Sequence, residues 1–524
     1  MTTFHRISMP LILLLLVALS SCSPNRSTEA PVKAANEPHR PFYHFTPDSM
    51  WMNDPNGLVF YEGEYHLFYQ YHPQSTVWGP MHWGHAISRD LLQWEHQPVA
   101  LYPDSLGWIF SGSAVADHQN TSGLGKEGIA PLVAIFTYHN SKLEQSGSIT
   151  YQYQGLAYSL DKGRSWIKYS GNPVLENPGI KDFRDPKVSW HNPSQQWIMT
   201  LAVADHIRFY TSPNLISWTF ASEFGKQIGA HGGVWECPDL FELPVSNNST
   251  EKKWVLLVSI NPGGPNGGSA TQYFTGNFDG KTFIPETTET RWVDHGKDNY
   301  AGVTYADIPD ADGRRIAIGW MSNWQYATVV PTKKWRSAMT MPRTFHLTDD
   351  EGISQLISLP VTELKQLRGK EMKLESYMIE KGEIQESAIP LAAEIQLVFE
   401  LPADNIPTSF GVEIGNQKHE KIIAGYDMIS EAFYLDRNES GDGSFSAEFK
   451  GKHTAPYQLK GNRTITMQLF LDVASLEFFA QEGATVMTDI FFPSMPFNQL
   501  RLFSNDGNVR LVSASIYPLQ TDIK

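Results

Sequence analysis

His66-Leu-Phe-Tyr-Gln-Tyr71 is a short run of bulky apolar and aromatic side chains set between turn residues such as Gly63 and Pro73. It is too short for an ordinary helix and rich in aromatics, so it reads as a buried strand. Four runs of the same kind follow: Leu132-Val-Ala-Ile-Phe-Thr-Tyr138, Trp197-Ile-Met-Thr-Leu-Ala-Val203, Trp254-Val-Leu-Leu-Val-Ser-Ile260 and Arg315-Ile-Ala-Ile-Gly-Trp320. Their starts lie roughly 57 to 66 residues apart. Between them a second element recurs, a polar turn followed by an aromatic: Ser88 to Trp94, Ser159 to Trp166, Ser212 to Trp218 and Asn277 to Phe283. This is an internal repeat, long enough for four antiparallel strands with generous loops. Five runs predict an all-β fold, a five-bladed β-propeller over 41–357, against the alternative of a β-sandwich with accidental spacing.

The pattern changes near residue 358. Val361, Leu364 and Leu367 fall at helical spacing ahead of Gly369, which predicts a linker helix within 358–370. Alternation then resumes, for instance in Ile395-Gln-Leu-Val-Phe-Glu-Leu401 and Ile465-Thr-Met-Gln-Leu-Phe-Leu471, and predicts a β-sandwich over 371–524. That second region has no dense polar and aromatic cluster, so support or accessory binding is expected of it.

Composition narrows the chemistry. Of 524 residues, 41% are hydrophobic and 19% charged, which places the chain among folded globular proteins. A net charge of −15 without a basic stripe argues against a nucleic-acid partner. Fifteen Trp and 21 Tyr, with scattered Asp, Asn and His, suit a neutral polyhydroxylated ligand, because flat rings cover the apolar faces of sugars while short polar groups meet hydroxyls. Only two cysteines occur, Cys22 and Cys237, too few for a disulfide framework, a zinc site or an iron–sulfur site.

The N-terminus carries Arg6, an apolar run from Leu11 to Leu19, then Ser20-Ser21-Cys22. This reads as a signal peptide over 1–21 and resembles a bacterial lipobox with Cys22 as the lipidated residue, an ordinary secretion signal being the alternative. The Pro-, Ser- and Asn-rich stretch that follows predicts a flexible tether over 22–40. The expected product is an exported bacterial protein held to a membrane by a lipid on Cys22, periplasmic or at the cell surface. Ser23 to Thr28 lacks an acidic run, which leans toward periplasmic retention.

Three acidic clusters stand out. Asp54, in Trp51-Met-Asn-Asp-Pro-Asn-Gly57, precedes a proline that pushes it into extended or turn geometry. Asp185, in Phe183-Arg-Asp-Pro186, has Arg184 beside it to keep it ionised. Glu236, in Trp235-Glu-Cys-Pro-Asp239, follows a Trp, and a carboxyl against large aromatics has its pKa raised as a general acid requires. The first two strings also read as plain turns, the second with a surface ion pair, and Cys237 as a small buried packing residue. A propeller brings such positions to one end of its channel, where two carboxyl groups about 5–5.5 Å apart support retaining glycoside hydrolysis.

With these motifs the chain resembles glycoside hydrolase family 32, the invertase, inulinase and levanase group. WMNDPNG (51–57), FSGS (110–113), FRDP (183–186) and WECPDL (235–240) occur in the family's order, and DNYAGV (298–303), GWMSNW (319–324) and SLEFFAQEGATVMTDIFFP (475–493) extend the likeness across nearly the whole mature chain. The resemblance implies a propeller followed by a sandwich, with Asp54 as nucleophile, Glu236 as general acid/base, and Asp185 binding fructose hydroxyls and stabilising the transition state. It further implies Asn53, Gln70, Trp78, Ser111, Gly112 and Arg184 around a terminal fructose, with Trp320 or Trp324 as an aromatic wall, and neither metal nor organic cofactor. Trp78-Gly-Pro-Met-His-Trp-Gly-His85 is closer to exo-acting levanases and inulinases than to dedicated invertases. The expected activity is removal of terminal β-fructofuranosyl units from levan, inulin or sucrose. An invertase acting mainly on sucrose, a transferase using the same intermediate, and a non-catalytic glycan-binding propeller are the rivals. Asn261 to Gly268 is glycine-rich without a phosphate-loop ending and reads as a blade turn. Triplets at Asn247, Asn248, Asn438 and Asn462 formally permit N-glycosylation, which a bacterial lipoprotein would not use.

Overall fold

A computed structural model describes residues 1–3, 37–246, 248–382 and 385–520. The lipidation expected at Cys22, with nearly all of the expected leader and tether, lies outside the described residues. Among them, no helix is long and apolar enough to cross a membrane.

From residue 50 the chain builds antiparallel sheets whose strands pair largely in chain order. The first holds Met50–Tyr61, Glu64–His72, His82–Ser88 and Glu95–Leu101; the second Trp108–Ala116, Leu132–His139, Gln152–Ser159 and Ile167–Lys168; the third Phe183–His191, Gln196–Val203, His206–Ser212 and Thr219–Phe224. Two further sets, one beginning at Val234–Val245 and the other at Tyr300–Thr304, share one ten-stranded sheet because Val245 pairs in parallel with Leu347. Five blades were the expectation; with that single bridge, the strands of this region form four sheets among the described residues. The leading strands touch in a closed order, Met50–Tyr61 against Trp108–Ala116, then Phe183–His191, Val234–Val245 and Tyr300–Thr304, which returns to Met50–Tyr61.

The five apolar runs are the second strands of these sets. Interior to their sheets, they are also packed between neighbouring sheets: Leu132, Ala134 and Phe136 meet Phe68 and Trp83 on one side, and Val133 and Ile135 meet Val188 and Met199 on the other. All eight residues of Leu132–His139 are buried, and an unbroken apolar run is what such a position demands. The recurring polar turn has one chemistry throughout. Asp90 Oδ1 accepts from the backbone N–H of Leu92 and Gln93, Asp161 Oδ1 from Ser165, Asn214 Oδ1 from Ile216 and Ser217, and Asp279 Oδ1 from Lys281 and Thr282. The short side chain closes the turn between the third and fourth strands.

In the connector, a strand runs on to Pro360 and a 3₁₀-helix covers Thr362–Leu367. Val361, Leu364 and Leu367 are buried at spacing three, the period of a 3₁₀ rather than an α-helix. The β-sandwich follows. One sheet orders Met372–Leu374, Val509–Pro518, Ala393–Glu400, Thr464–Asp472, Ser475–Ala480 and Thr485–Ile490; the other orders Gln385–Ala388, Gln499–Asn505, Ser409–Gly415, Lys421–Asp427, Ala432–Asp436 and Lys452–Pro456. Alternate residues such as Ile395, Leu397 and Phe399 meet Val412, Ile414 and Leu502 in its core. The molecule is thus a β-propeller followed by a β-sandwich. The two share an apolar seam in which Phe470, Phe479 and Val486 pack with Trp51, Met339 and Met341.

Candidate active site

Every leading strand loses register at its site residue. Pairing slips between Met52 and Pro55, Ile109 and Gly112, Arg184 and Lys187, Glu236 and Asp239, and Tyr300 and Val303. A bulge frees the local backbone from the ladder and re-aims a side chain. Asp185 (φ 63°), Cys237 (φ 44°) and Ala301 (φ 52°) adopt left-handed conformations there, strain that surrounding hydrogen bonds must hold. Asp185 N–H donates to Thr137 Oγ1 at 2.9 Å.

The bulges deliver Asp54, Asp185 and Glu236 to one cavity of about 400 Å³. Asn53, Gln70, Trp78, Ser111, Arg184 and Trp324 line it as well. Asp54 Oδ1 accepts from Asn53 Nδ2 at 3.0 Å, and its Oδ2 from Ser111 Oγ at 2.8 Å. Trp51 Nε1 donates to Asn53 Oδ1 at 2.7 Å, which fixes that amide. Gln70 Nε2 donates to Asn56 Oδ1 at 2.8 Å, leaving its carbonyl for the cavity. Trp78, 39% exposed, stands edge-on to Trp108 and Phe110 at the rim.

Two residues sit elsewhere than the resemblance implies. Trp320 is fully buried behind Trp324, 4.9 Å between ring centroids, so Trp324 alone of the pair reaches the cavity. Gly112 faces away from it: a Cβ there would lie 2.2 Å from Ile135 O, so glycine is required for the close approach of two strands. The aromatic surroundings expected for Glu236 are also different. Trp235 is turned into the core beside Phe274 and donates to Ala230 O. Glu236 Oε1 instead accepts from Arg184 Nη2 at 2.9 Å and Nε at 3.2 Å, and Oε2 accepts from the Tyr300 hydroxyl.

Sequence reasoning missed several members. Asp182 accepts from Arg184 Nη1 at 2.7 Å, so one guanidinium serves Asp182, Glu236 and, at 4.0 Å, Asp185. Tyr300 was legible only as part of the DNYAGV string. Cys237 is more than packing: its backbone N–H donates to Asp185 Oδ2 at 3.1 Å, and its thiol lies 3.5 Å from Asp54 Oδ2 and 3.7 Å from Asp185 Oδ2. Burial, with Glu236 nearby, raises the pKa of Asp54 against the lowering effect of Ser111, Asn53 and Cys237. Asp185 is also raised, by burial first and by Glu236 and Asp54, against the pull of Arg184. Burial pushes the Cys237 thiol far up, which keeps it a neutral donor and not a nucleophile. Among the described residues no His, Cys, Asp and Glu group is arranged to hold a metal ion.

A propeller cavity with three converging carboxylates, one guanidinium and an aromatic rim is the site of an enzyme that works on sugars. Residues 44–360 match the Glycosyl hydrolases family 32 N-terminal domain and residues 363–518 the family's C-terminal domain. The chain belongs to glycoside hydrolase family 32. It is 48% identical over 496 residues to the levanase of Bacillus subtilis (strain 168), across 93% of this chain and 71% of that protein. It is 39% identical over 515 residues to the extracellular exo-inulinase of Aspergillus awamori, across 92% of this chain and 95% of that protein. The crystal structure of the exo-inulinase from Aspergillus awamori matches with a TM-score of 0.85 at 37% identity, covering 93% of this chain and 99% of that one. The β-fructofuranosidase from Schwanniomyces occidentalis, complexed with fructosyl-erythritol, matches at 0.84 and 33% identity, covering 92% and 98%.

Proposed function

We propose that this glycoside hydrolase is an exo-acting, retaining β-fructosidase that removes terminal β-D-fructofuranosyl units from levan or inulin, and from sucrose. The observation that carries the reading is the meeting of Asp54, Asp185 and Glu236 in one cavity from three leading strands. Asp54 attacks the anomeric carbon while Glu236 gives its proton to the departing glycosidic oxygen. Water, deprotonated by Glu236, then cleaves the fructosyl ester, returns the Asp54 carboxylate and releases fructose with its configuration kept. Asp185 holds fructose hydroxyls and, with Asp54, opposes the positive charge that develops on the ring. Arg184 keeps Glu236 in place until substrate enters. Asn53, Gln70, Ser111 and the Trp78 and Trp324 faces surround the terminal sugar. No step requires a cofactor.

The levanase and exo-inulinase names among its relatives support fructans over sucrose as the main substrate. The same reading counts five blades, the last two sharing the Val245–Leu347 pair, and keeps the division at 41–357, 358–370 and 371–524. It also takes the chain as exported, in line with the extracellular relatives, through a signal peptide over 1–21 and a lipid on Cys22. Loss of radiolabelled palmitate incorporation in Cys22→Ser checks that anchor. A product time course on levan, inulin and sucrose tests the activity. Free fructose from the first minutes is expected. Early fructo-oligosaccharides from levan or inulin would exclude the exo reading, and turnover confined to sucrose would leave an invertase.

A further inference from the structure

The cavity extends past Arg184 to residues that the cleavage chemistry does not use. His139 is 4% exposed and lines it, stacked on Phe110 at 4.3 Å with the planes 7° apart. The tautomer of this ring follows from its partners. Gln152 Oε1 accepts from Phe183 N–H at 3.0 Å and from Arg184 Nη1 at 3.4 Å, so the amide nitrogen of Gln152 faces His139 Nδ1, 3.4 Å away, and donates to it. The ring proton is therefore on Nε2. Nε2 is buried and makes no hydrogen bond, although Glu144 Oε2 is 3.1 Å away, out of line for one. A buried N–H met off-line by a single carboxylate oxygen leaves room for a better-aligned acceptor.

Glu144 comes from the short helix Ser141–Gln145, inserted between the strands Leu132–His139 and Gln152–Ser159. Asn140 Oδ1 caps it by accepting from Lys142 and Leu143 N–H. The helix holds the Glu144 side chain, half-exposed, over the cavity mouth. Tyr151 packs edge-on against His139 and donates to Asp182 Oδ1 at 3.2 Å, closing that wall. A donor and a carboxylate side by side, next to the Trp78, Trp108 and Phe110 rings, match adjacent hydroxyls and the apolar face of a second sugar ring.

Resting on the β-fructosidase reading, we propose that His139 Nε2–H and the Glu144 carboxylate form an outer subsite that binds the penultimate sugar of a fructan, with the Phe110 and Trp108 rings as its floor. The subsite sets how strongly the enzyme prefers an oligosaccharide to a substrate whose leaving group has no hydroxyls. Neither residue takes part in bond cleavage.

The test compares kcat/KM for β-2,1- and β-2,6-linked fructosyl trisaccharides with kcat/KM for 4-nitrophenyl β-D-fructofuranoside, in wild type, Glu144→Ala, Glu144→Gln and His139→Gln. Glu144→Ala should lower the ratio of trisaccharide to aryl fructoside by about tenfold or more, the size of one lost charge-assisted hydrogen bond. Glu144→Gln, which still accepts a hydrogen bond, should recover part of it. Because Glu144 is half-exposed on a surface helix, its substitution leaves the fold intact, and His139→Gln should move the ratio the same way. A ratio unchanged in Glu144→Ala, whether both activities fall or neither does, overturns the subsite. Wild-type enzyme that frees no fructose from any of these compounds overturns the activity itself, a separate result.

Discussion

A single thiol sits between the two aspartates of the cavity. Cys237 reaches toward Asp54 and Asp185 at once, and its donation lowers the pKa of Asp54 against the opposing effects of burial and Glu236. In the proposed reaction both aspartates act as anions, and both are raised, so the acid limb of the rate profile should lie above the ordinary carboxylate range. Cys237→Ala removes a donor that favours the charged form. The acid limb of kcat/KM should then move to higher pH while the alkaline limb stays, and stability should fall by about 1 kcal/mol for the lost side chain. A pH profile on a trisaccharide checks this; an acid limb that moves down, or not at all, contradicts the role. Asp54→Asn is the sharper substitution: without the proposed nucleophile, kcat should drop by about 10⁴ or more, while calorimetry still registers fructose binding.

At the scale of the strand, what the sequence makes legible is what repeats. Second strands announce themselves because burial on both faces forces an unbroken apolar run, and turns because one Asp or Asn must close each. Leading strands hide: Met50–Tyr61 and Val234–Val245 are broken by bulges, and their chemistry shows only as short strings around Asp54 and Glu236. Trp320 and Trp324 were indistinguishable in sequence, since which ring stands in front depends on where the chain turns after Met321. The His139–Glu144 wall was invisible because its helix belongs to a loop without periodicity. Gly112 belongs to this scale too, as a packing residue where Trp108–Ala116 slips register against Leu132–His139. Gly112→Ala places a methyl against Ile135 O and Phe136 Cα, and should cost about 1–3 kcal/mol while displacing Ser111 from Asp54. Urea unfolding with activity measured well below the midpoint checks both halves of that expectation.

Across the whole molecule, the propeller and sandwich are joined by buried charge as well as by apolar surface. His44, just ahead of the first strand, donates from Nδ1 to Asp472 at 2.7 Å and from Nε2 to Glu477 at 2.8 Å. Glu477 also takes Arg343 Nε at 3.0 Å, and Arg343 reaches Asp294 at 2.9 Å. Burial opposes the charge on His44, but the two carboxylates outweigh it and raise its pKa to about 9 from 6.5. A raised folded-state pKa stabilises fully below 6.5 and is lost as pH climbs through 9; a gap of this size is worth on the order of 3 kcal/mol. Depressed groups act in the opposite sense. Burial holds His66 down at about 4 and His85 low as well, so their contribution is complete above 6.5 and declines on acidification, as do those of the lowered Asp472 and Glu477 further down. Between pH 6.5 and 9.5 stability should therefore fall as His44 loses its proton, and the raised Asp185 and Cys237 act in the same direction. In His44→Gln the alkaline decline should shrink by about 3 kcal/mol, the raised Asp185 and Cys237 accounting for what is left, while stability at pH 6 drops by about 3–5 kcal/mol because two buried carboxylates lose their cation. Urea midpoints at pH 6 and 9.5 decide it: a wild-type protein equally stable at both would mean that His44 is not the imidazolium that clamps the two halves together.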